Sequence, residues 1–251
     1  MSDKIDFLNF IEDFKKVKAL GFRESHRSHN TGIGKTYEDL LGIVENNFKQ
    51  PDLHGFEIKS QRAYTGSYVT LFTKSPTMPV KANGFLKDNF GSYDEQYPNI
   101  KVLHTSVFAN QYNSHKSGFR FMLQLNGDER KLYLIVADET DNIVSSNIYW
   151  TYDSLESCLC TKLRKLAYVS ADTLIDDFGN EKFHFNKAIV FSELKGLDTF
   201  LQLIDEKIIM FDIRIGAYKT GTKAGMPHDH GSGFRIKREH MKKLYERYDV
   251  I

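Results

Sequence analysis

Cysteine is scarce, with only Cys158 and Cys160 among 251 residues. Two thiols two positions apart make a poor staple, so a disulfide-built scaffold is excluded and a reducing cytoplasm is the expected setting. No apolar run approaches the length of a membrane span, and Met1-Ser2-Asp3-Lys4 opens no signal-peptide pattern. Internal repeats, low-complexity tracts and linkers are also lacking. Nor is there an excess of one charge. The 34 Lys/Arg and 33 Asp/Glu leave a net +1, which on composition alone argues against a nucleic-acid binder.

What is present qualifies that last exclusion. Residues 214–251 carry nine Lys/Arg against four Asp/Glu, residues 15–35 carry six against one, and the rest of the chain is net acidic. Two basic segments on an acidic body can wall a cleft for a polyanion, although a solvated basic helix face explains each as simply. Hydrophobic residues make up 41%, enough to bury a core in one large domain or two modest lobes.

Apolar spacing predicts a helix over residues 4–20, with Phe7, Leu8, Ile11 and Phe14 on one stripe and Gly21 as its stop. A second helix is expected over 36–48, carrying Tyr37, Leu40, Leu41, Val44 and Phe48, with Thr36 as its cap. Residues 57–73 read as two strands joined by a polar loop containing Gly66. Further strands are expected at 119–125, 131–137, 166–170 and 208–215, helices at 153–165 and 193–204, and a last helix after Ile236. Helices followed by strands and mixed elements predict an α/β fold of the α+β, mixed-sheet kind.

The richest segment chemically is Pro51-Asp52-Leu53-His54-Gly55-Phe56-Glu57-Ile58-Lys59. In its second half apolar and charged residues alternate with period two. As a strand it points Phe56 and Ile58 into a core and sets Glu57 and Lys59 on the other face. Asp52 lies just upstream, where Pro51 and Gly55 favour a turn. Two hard oxygen ligands beside an ammonium suit a Mg²⁺ site that cleaves phosphodiesters. A half-exposed strand with a surface ion pair is the plainer alternative. Glu38, on the second helix, is placed to reach that site as a ligand or as a partner for Lys59. An exposed first-turn glutamate favoured by the helix dipole is the simpler account.

Gly32-Ile33-Gly34-Lys35-Thr36 resembles the end of a phosphate-binding loop, but His29 stands where the first glycine belongs. His228-Asp229-His230 invites zinc, yet no Cys or third His is near in sequence to close a tetrahedral site. A glycine-punctuated segment joins Arg214, Tyr218, Lys219, Lys223, His228, His230 and Arg235. Such donors suit guanine N7 and O6, and a basic loop touching only solvent is the competing account.

Taken together these blocks resemble the MvaI/BcnI family of type II restriction endonucleases, on its MvaI side. The resemblance is carried by the run from Asn30 through Gly32-Ile33-Gly34-Lys35-Thr36-Tyr37-Glu38-Asp39 to Leu41, and by Pro51-Asp52 with Glu57-Ile58-Lys59. Leu71-Phe72-Thr73-Lys74-Ser75-Pro76-Thr77, Asp212-Ile213-Arg214-Ile215-Gly216-Ala217-Tyr218, His228-Asp229-His230-Gly231 and Phe234-Arg235-Ile236 complete it. Residues 80–150 carry little of it.

The resemblance implies a MutH-like variant of the PD-(D/E)xK nuclease fold over residues 1–251. Its catalytic lobe is expected mainly in the N-terminal half and its recognition lobe mainly in the C-terminal half. Asp52 and Glu57 would be metal ligands with the Ile58 carbonyl, Lys59 the catalytic lysine and Glu38 an accessory acid. Arg214, His228, His230 and Arg235 would read bases, with Tyr218 and Lys219 near them. The implied enzyme is a monomer using Mg²⁺, with Mn²⁺ able to substitute. It cuts duplex DNA at CC-N-GG sites, best CC(A/T)GG, alongside a cognate DNA methyltransferase. A MutH-type nickase and a DNA-binding module on an inactive nuclease fold are the rival expectations; the intact Asp52, Glu57 and Lys59 argue against the second.

Overall fold

A computed structural model describes residues 2–27, 31–43, 52–64 and 66–251. In chain order they form α1 (Ser2–Ala19), β1 (Arg23–Glu24), α2 (Gly32–Leu40), β2 (Glu57–Arg62), β3 (Tyr68–Thr73), α3 (Ala82–Phe90), β4 (Ser92–Tyr93) and β5 (Lys101–Val107). Next come β6 (Asn113–Ser114), β7 (Arg120–Asn126), β8 (Lys131–Ala137), β9 (Ile143–Thr151), α4 (Tyr152–Lys162), β10 (Leu166–Ile175) and β11 (Glu181–Leu194). The remainder is α5 (Leu197–Asp205), β12 (Ile209–Ala217), β13 (Pro227–Asp229), β14 (Gly233–Lys237) and β15 (Tyr245–Val250), with 3₁₀ turns at Gly221–Lys223 and Arg238–Leu244. The mixed α+β class expected from the sequence is what is found.

Contacts divide the chain into two compact units, and neither is a continuous half. One comprises Met1–Val69, Leu159–Lys195 and Met241–Ile251; the other comprises Thr70–Cys158 and Gly196–His240.

The first unit holds a sheet of order β1-β11-β10-β2, with β15 also paired to β11. Its pairings are antiparallel except that β2 runs parallel to β10, setting Glu57 opposite Leu166 and Lys59 opposite Tyr168. Phe10, Phe14 and Val17 form the buried stripe of α1, at the spacing of one helix face. They join Ile33 and Tyr37 of α2, Ile58 of β2, Val169 of β10 and Phe185 of β11 in one core, with Phe56 just ahead of β2. The Phe10 and Phe56 rings lie 5.5 Å apart.

The second unit carries two sheets. One has the order β3-β14-β12-β5-β4 with β13 added to β12; the other is the meander β6-β7-β8-β9. Its core centres on Trp150, which packs edge-on to Phe211 at 4.6 Å and to Phe234 at 5.5 Å. The buried indole N–H donates to the Lys74 carbonyl at 3.0 Å, so the ring is buried without an unmet donor.

Several sequence expectations need correction. The stripe of α1 is rotated from the one expected, and Leu8 is 54% exposed. Helix α2 starts at Gly32, so Thr36 is not a cap. It lies inside the helix, where its Oγ1 donates to the Gly32 carbonyl and accepts the His26 N–H. Val44 and Phe48 lie outside the described residues. The strand expected at 166–170 runs on to Ile175, and the helix expected from 193 begins only at Leu197, because β11 continues to Leu194. After Ile236 comes a 3₁₀ turn and then β15, where a helix was expected.

Candidate functional site

The acidic segment owes its shape to one tight turn. Leu53 and Phe56 exchange both backbone hydrogen bonds, at 3.1 and 2.7 Å. The two residues between them, His54 and Gly55, have φ of 48° and 73°. Positive φ at both central positions is the type I′ hairpin geometry, which glycine adopts without a Cβ penalty. His54 is held there by a 2.9 Å contact between its Nε2 and Asp13 Oδ2 on α1. The chain thus doubles back, and Asp52 Oδ2 accepts the Ile58 N–H at 2.8 Å.

That reversal sets Asp52 beside Glu57, the first residue of β2. As expected, Phe56 and Ile58 are buried, but Glu57 is buried too, at 7% exposure. A buried carboxylate is costly unless paired. Lys59 Nζ donates to Glu57 Oε1 at 2.7 Å, and Lys162 Nζ, at the end of α4, stands 3.5 Å from Oε2. Among the described residues Oε2 itself receives no hydrogen bond. Asp52 is exposed as a residue, yet loss of solvent around its carboxyl, followed by the Glu57 charge, raises its pKa. The Ile58 N–H, Lys59 and Lys162 oppose that rise.

An orphaned buried carboxylate oxygen next to a second carboxylate is a fit for a divalent cation. Mg²⁺ commonly takes one or two protein carboxylates and fills its other positions with water and phosphate oxygens. Among the described residues no group of three or more His, Cys, Asp and Glu converges as a metal site. Glu38 therefore does not join Asp52 and Glu57 as a third ligand here, although its helix packs on β2. The same finding leaves His228-Asp229-His230 without a closed zinc site.

The second constellation lies on β12, where Asp212, Arg214 and Gly216 alternate onto one face. Asp212 is the residue on which it turns. Its Oδ2 accepts from Arg214 Nε at 2.6 Å and lies 3.0 Å from Arg235 Nε, the latter without hydrogen-bond alignment. Its Oδ1 accepts from the Ser106 hydroxyl at 3.0 Å. Among the described residues the Arg214 side chain is held by its Nε alone and is half exposed, which leaves its terminal fork without a partner there. Arg235 is only 9% exposed and also donates to the Gly231 carbonyl at 3.2 Å.

The histidines fold over this face. Tyr218 stacks on His228 at 4.6 Å, and His228 meets His230 at 4.5 Å. Gly216 makes this possible, since a Cβ there would stand 2.4 Å from His230 Nε2. Burial, followed by the His228 charge, lowers the His230 pKa, which favours a neutral ring. Lys219 is ion-paired to Asp94 and lies over the Tyr97 ring, so its ammonium is already engaged.

Sequence reasoning did not single out Lys162, Asp212, Ser106 or His104. Asp212 sat inside a quoted block, but only its contacts to two arginines reveal its part. His104, Asn113, His115 and Lys116 line an open cleft of about 760 Å³ together with Asp212, Arg214 and His230. They come from the stretch that carried little resemblance.

A carboxylate pair with two lysines on a sheet edge, and an arginine–histidine face on another sheet, define a nuclease-like class of site. A family model described as the MvaI/BcnI restriction endonuclease family matches residues 11–245. The chain belongs to that family and is a type II site-specific DNA endonuclease. It is similar to the solved structure of a "Restriction endonuclease MvaI-cognate DNA substrate complex", at 37% identity and TM-score 0.89, covering 97% of this chain and 98% of that one. It is also similar to "Restriction endonuclease MvaI in the absence of DNA", at 37% identity and TM-score 0.62, covering 96% and 95%. No curated protein matches in the sequence search. No helix among the described residues is long and apolar enough to cross a membrane.

Proposed function

We propose that this endonuclease cuts duplex DNA at a near-palindromic CC-N-GG site, CC(A/T)GG in the first instance, acting as a monomer with Mg²⁺ or, in its place, Mn²⁺. The observation that carries the reading is the His54-Gly55 turn, which brings Asp52 to Glu57 and Lys59. Asp52, Glu57 and the Ile58 carbonyl would hold the cation. When bound, it supplies Lewis acidity toward the phosphate and acidifies water.

The chain's own groups do the rest. Lys59 Nζ, anchored on Glu57 Oε1, orients the attacking water and offsets charge gathering on the phosphate oxygens. The new bond forms between the water oxygen and phosphorus as the bond from phosphorus to O3′ breaks. One water proton ends on O3′, leaving a 5′-phosphate and a 3′-hydroxyl. Glu38 acts as an accessory acid that helps to place Lys59.

Recognition falls to Arg214, His228, His230 and Arg235, with Tyr218 and Lys219 beside them. The exposed fork of Arg214 matches guanine O6 and N7 in the major groove. The second compact unit is thus the recognition lobe and the first the catalytic lobe. The expected setting is the cytoplasm, with a DNA methyltransferase of the same specificity protecting the host's own sites.

One Asp52-Glu57-Lys59 set per chain attacks one strand at a time. A supercoiled plasmid with a single CC(A/T)GG site should pass through an open circle to the linear form in Mg²⁺. Its rate should rise linearly with enzyme below saturation, and end-sequencing should map both cuts within the site. Open circle that never becomes linear would favour a nickase of the MutH type. Two chains per site in sedimentation, with linear product and no nicked form, would overturn the monomer. No cutting in Mg²⁺ or Mn²⁺ would overturn the chemistry.

A further inference from the structure

The polar face of β12 is flanked on both edges. Ile215 pairs with Asp229 of β13 on one side and with Leu103 of β5 on the other. In an antiparallel ladder directly opposed residues share a face. On the β5 side, Asp212 is opposite Ser106 and Arg214 is opposite His104. His104 therefore stands beside Arg214, across that arginine's strand from the His228–His230 hairpin.

Its neighbours along β5 and β6 are already occupied. The Ser106 hydroxyl is given to Asp212, and the Asn113 amide donates to Thr105 Oγ1 at 2.8 Å and to the Ser106 carbonyl at 2.7 Å. His115 Nδ1 accepts the Ser117 N–H at 3.2 Å. His104 differs. It is an exposed residue on the cleft wall, and no hydrogen bond to its ring is found among the described residues. Its one described ring contact is edge-on to His230, with centroids 6.4 Å apart. Partial loss of solvent around the ring, followed by the charges of His230 and Arg214, lowers its pKa, with Asp212 opposing and Lys219 adding to the fall. A neutral imidazole carries one N–H donor and one acceptor nitrogen.

We propose that His104 is a further specificity-determining residue, which donates to the N7 of one purine in the recognition site from the edge of the face opposite His228. The inference rests on the recognition role given above to Arg214 and His230. It extends that role to β5, a strand to which the family resemblance assigns nothing.

The test measures kcat/KM in Mg²⁺ on the CC(A/T)GG duplex and on a set of duplexes with one base pair changed at each position in turn. His104→Ala should narrow the cognate-to-variant ratio about tenfold at one position and leave it unchanged at the others, the size of a modest base contact. His104→Phe keeps a ring against His230 but has no N–H, and should behave as His104→Ala does. A 7-deazapurine at the affected position should slow the wild type by a similar factor and leave His104→Ala indifferent. Thermal unfolding of both variants should match wild type, since His104 is exposed.

Wild-type discrimination restored by His104→Phe would reduce His104 to a prop for His230 and overturn the proposal. Equal loss at every position, or no loss, would overturn it as well. Failure of the wild type itself to prefer CC(A/T)GG over the variant duplexes would instead overturn the recognition reading beneath it.

Discussion

Two clusters in this molecule are built from the same parts with the roles reversed. Around Glu57, cations serve a carboxylate. Lys59 and Lys162 flank a buried acid, and one oxygen is left without a hydrogen bond among the described residues. Around Asp212, a carboxylate serves cations. One acid takes Arg214 and Arg235 on the same oxygen, and the Arg214 side chain remains half exposed. The first arrangement leaves an anion to be satisfied, which suits a metal. The second leaves a donor array to be satisfied, which suits acceptor-rich base edges. Similar ion pairs thus suit opposite ligands, depending on which partner is buried and which is left with spare valence.

The contrast breaks if substitutions in the two clusters have the same effect. The largest loss should come from Asp52→Asn, Glu57→Gln or Lys59→Ala, each lowering kcat by about 10³-fold, the rate equivalent of several kcal/mol of lost charge stabilisation. Preference for cognate over random duplex, measured by binding, should survive. Lys59→Ala cutting at near wild-type rate would remove this site from the chemistry.

Next in size is Asp212→Ala, which leaves two guanidiniums with no shared counter-charge. Cognate binding should fall about 100-fold, and stability by about 3 kcal/mol, as for a broken buried pair. Thermal unfolding and filter binding would measure the two. Arg214→Ala should cost about 1–3 kcal/mol of discrimination with little change in Tm. Arg235→Ala should lose discrimination and stability together, because that side chain is buried. Equal losses on cognate and random duplex for both arginines would sink base reading by this face. Lys242, in the basic C-terminal segment, is proposed as a contact to phosphate alone, and Lys242→Ala should weaken both duplexes alike and flatten the salt dependence.

A smaller effect is expected at Lys162. Its 3.5 Å separation from Glu57 Oε2 predicts about a tenfold fall in kcat for Lys162→Ala. Lys162→Arg should recover part of the loss. An unchanged rate would leave Lys59 as the sole cation with a part in the chemistry.

The smallest concerns the turn itself. The hydrogen bond from His54 holds the Asp13 carboxyl below its ordinary value of 3.8, with help from Lys16. A depressed acid contributes stability above its unfolded pKa and loses it as pH falls through the folded one. The Tm gap between wild type and Asp13→Asn should therefore be present at pH 7 and close below about pH 3.8. A gap independent of pH would mean that the charge contributes nothing.

Local chemistry was legible where neighbours in sequence are neighbours in space. The alternation of residues 56–59 gave the buried Phe56 and Ile58, and Gly21 was expected to stop α1, which ends at Ala19 with Gly21 just beyond at φ 69°. What the chain could not announce depends on distant pairing. β5 interleaves polar residues, and the one apolar run of β11, Ala188-Ile189-Val190-Phe191, covers less than a third of that strand, so neither was foreseen; their ladders with β12 and β10 define them. Glu57 reads as a surface residue by period two, but it is buried, with Lys162 from a distant helix beside its carboxylate. Asp212 and His104 gain their meaning from partners about a hundred residues away or across a ladder. Thr36 was misread because its hydroxyl, a good cap, bonds equally well one turn back inside a helix.

The discontinuous make-up of the first unit also sets an order of assembly on the ribosome. Asp52, Glu57 and Lys59 are translated early, but the strand that flanks β2 begins only at Leu166, and β15, which pairs with β11, comes at Tyr245–Val250. Closing such distant ladders is slow compared with local turns. A nascent chain therefore carries the residues proposed here to cut long before the sheet that organises them exists. Synthesis itself thus delays completion of this sheet until β15 has emerged.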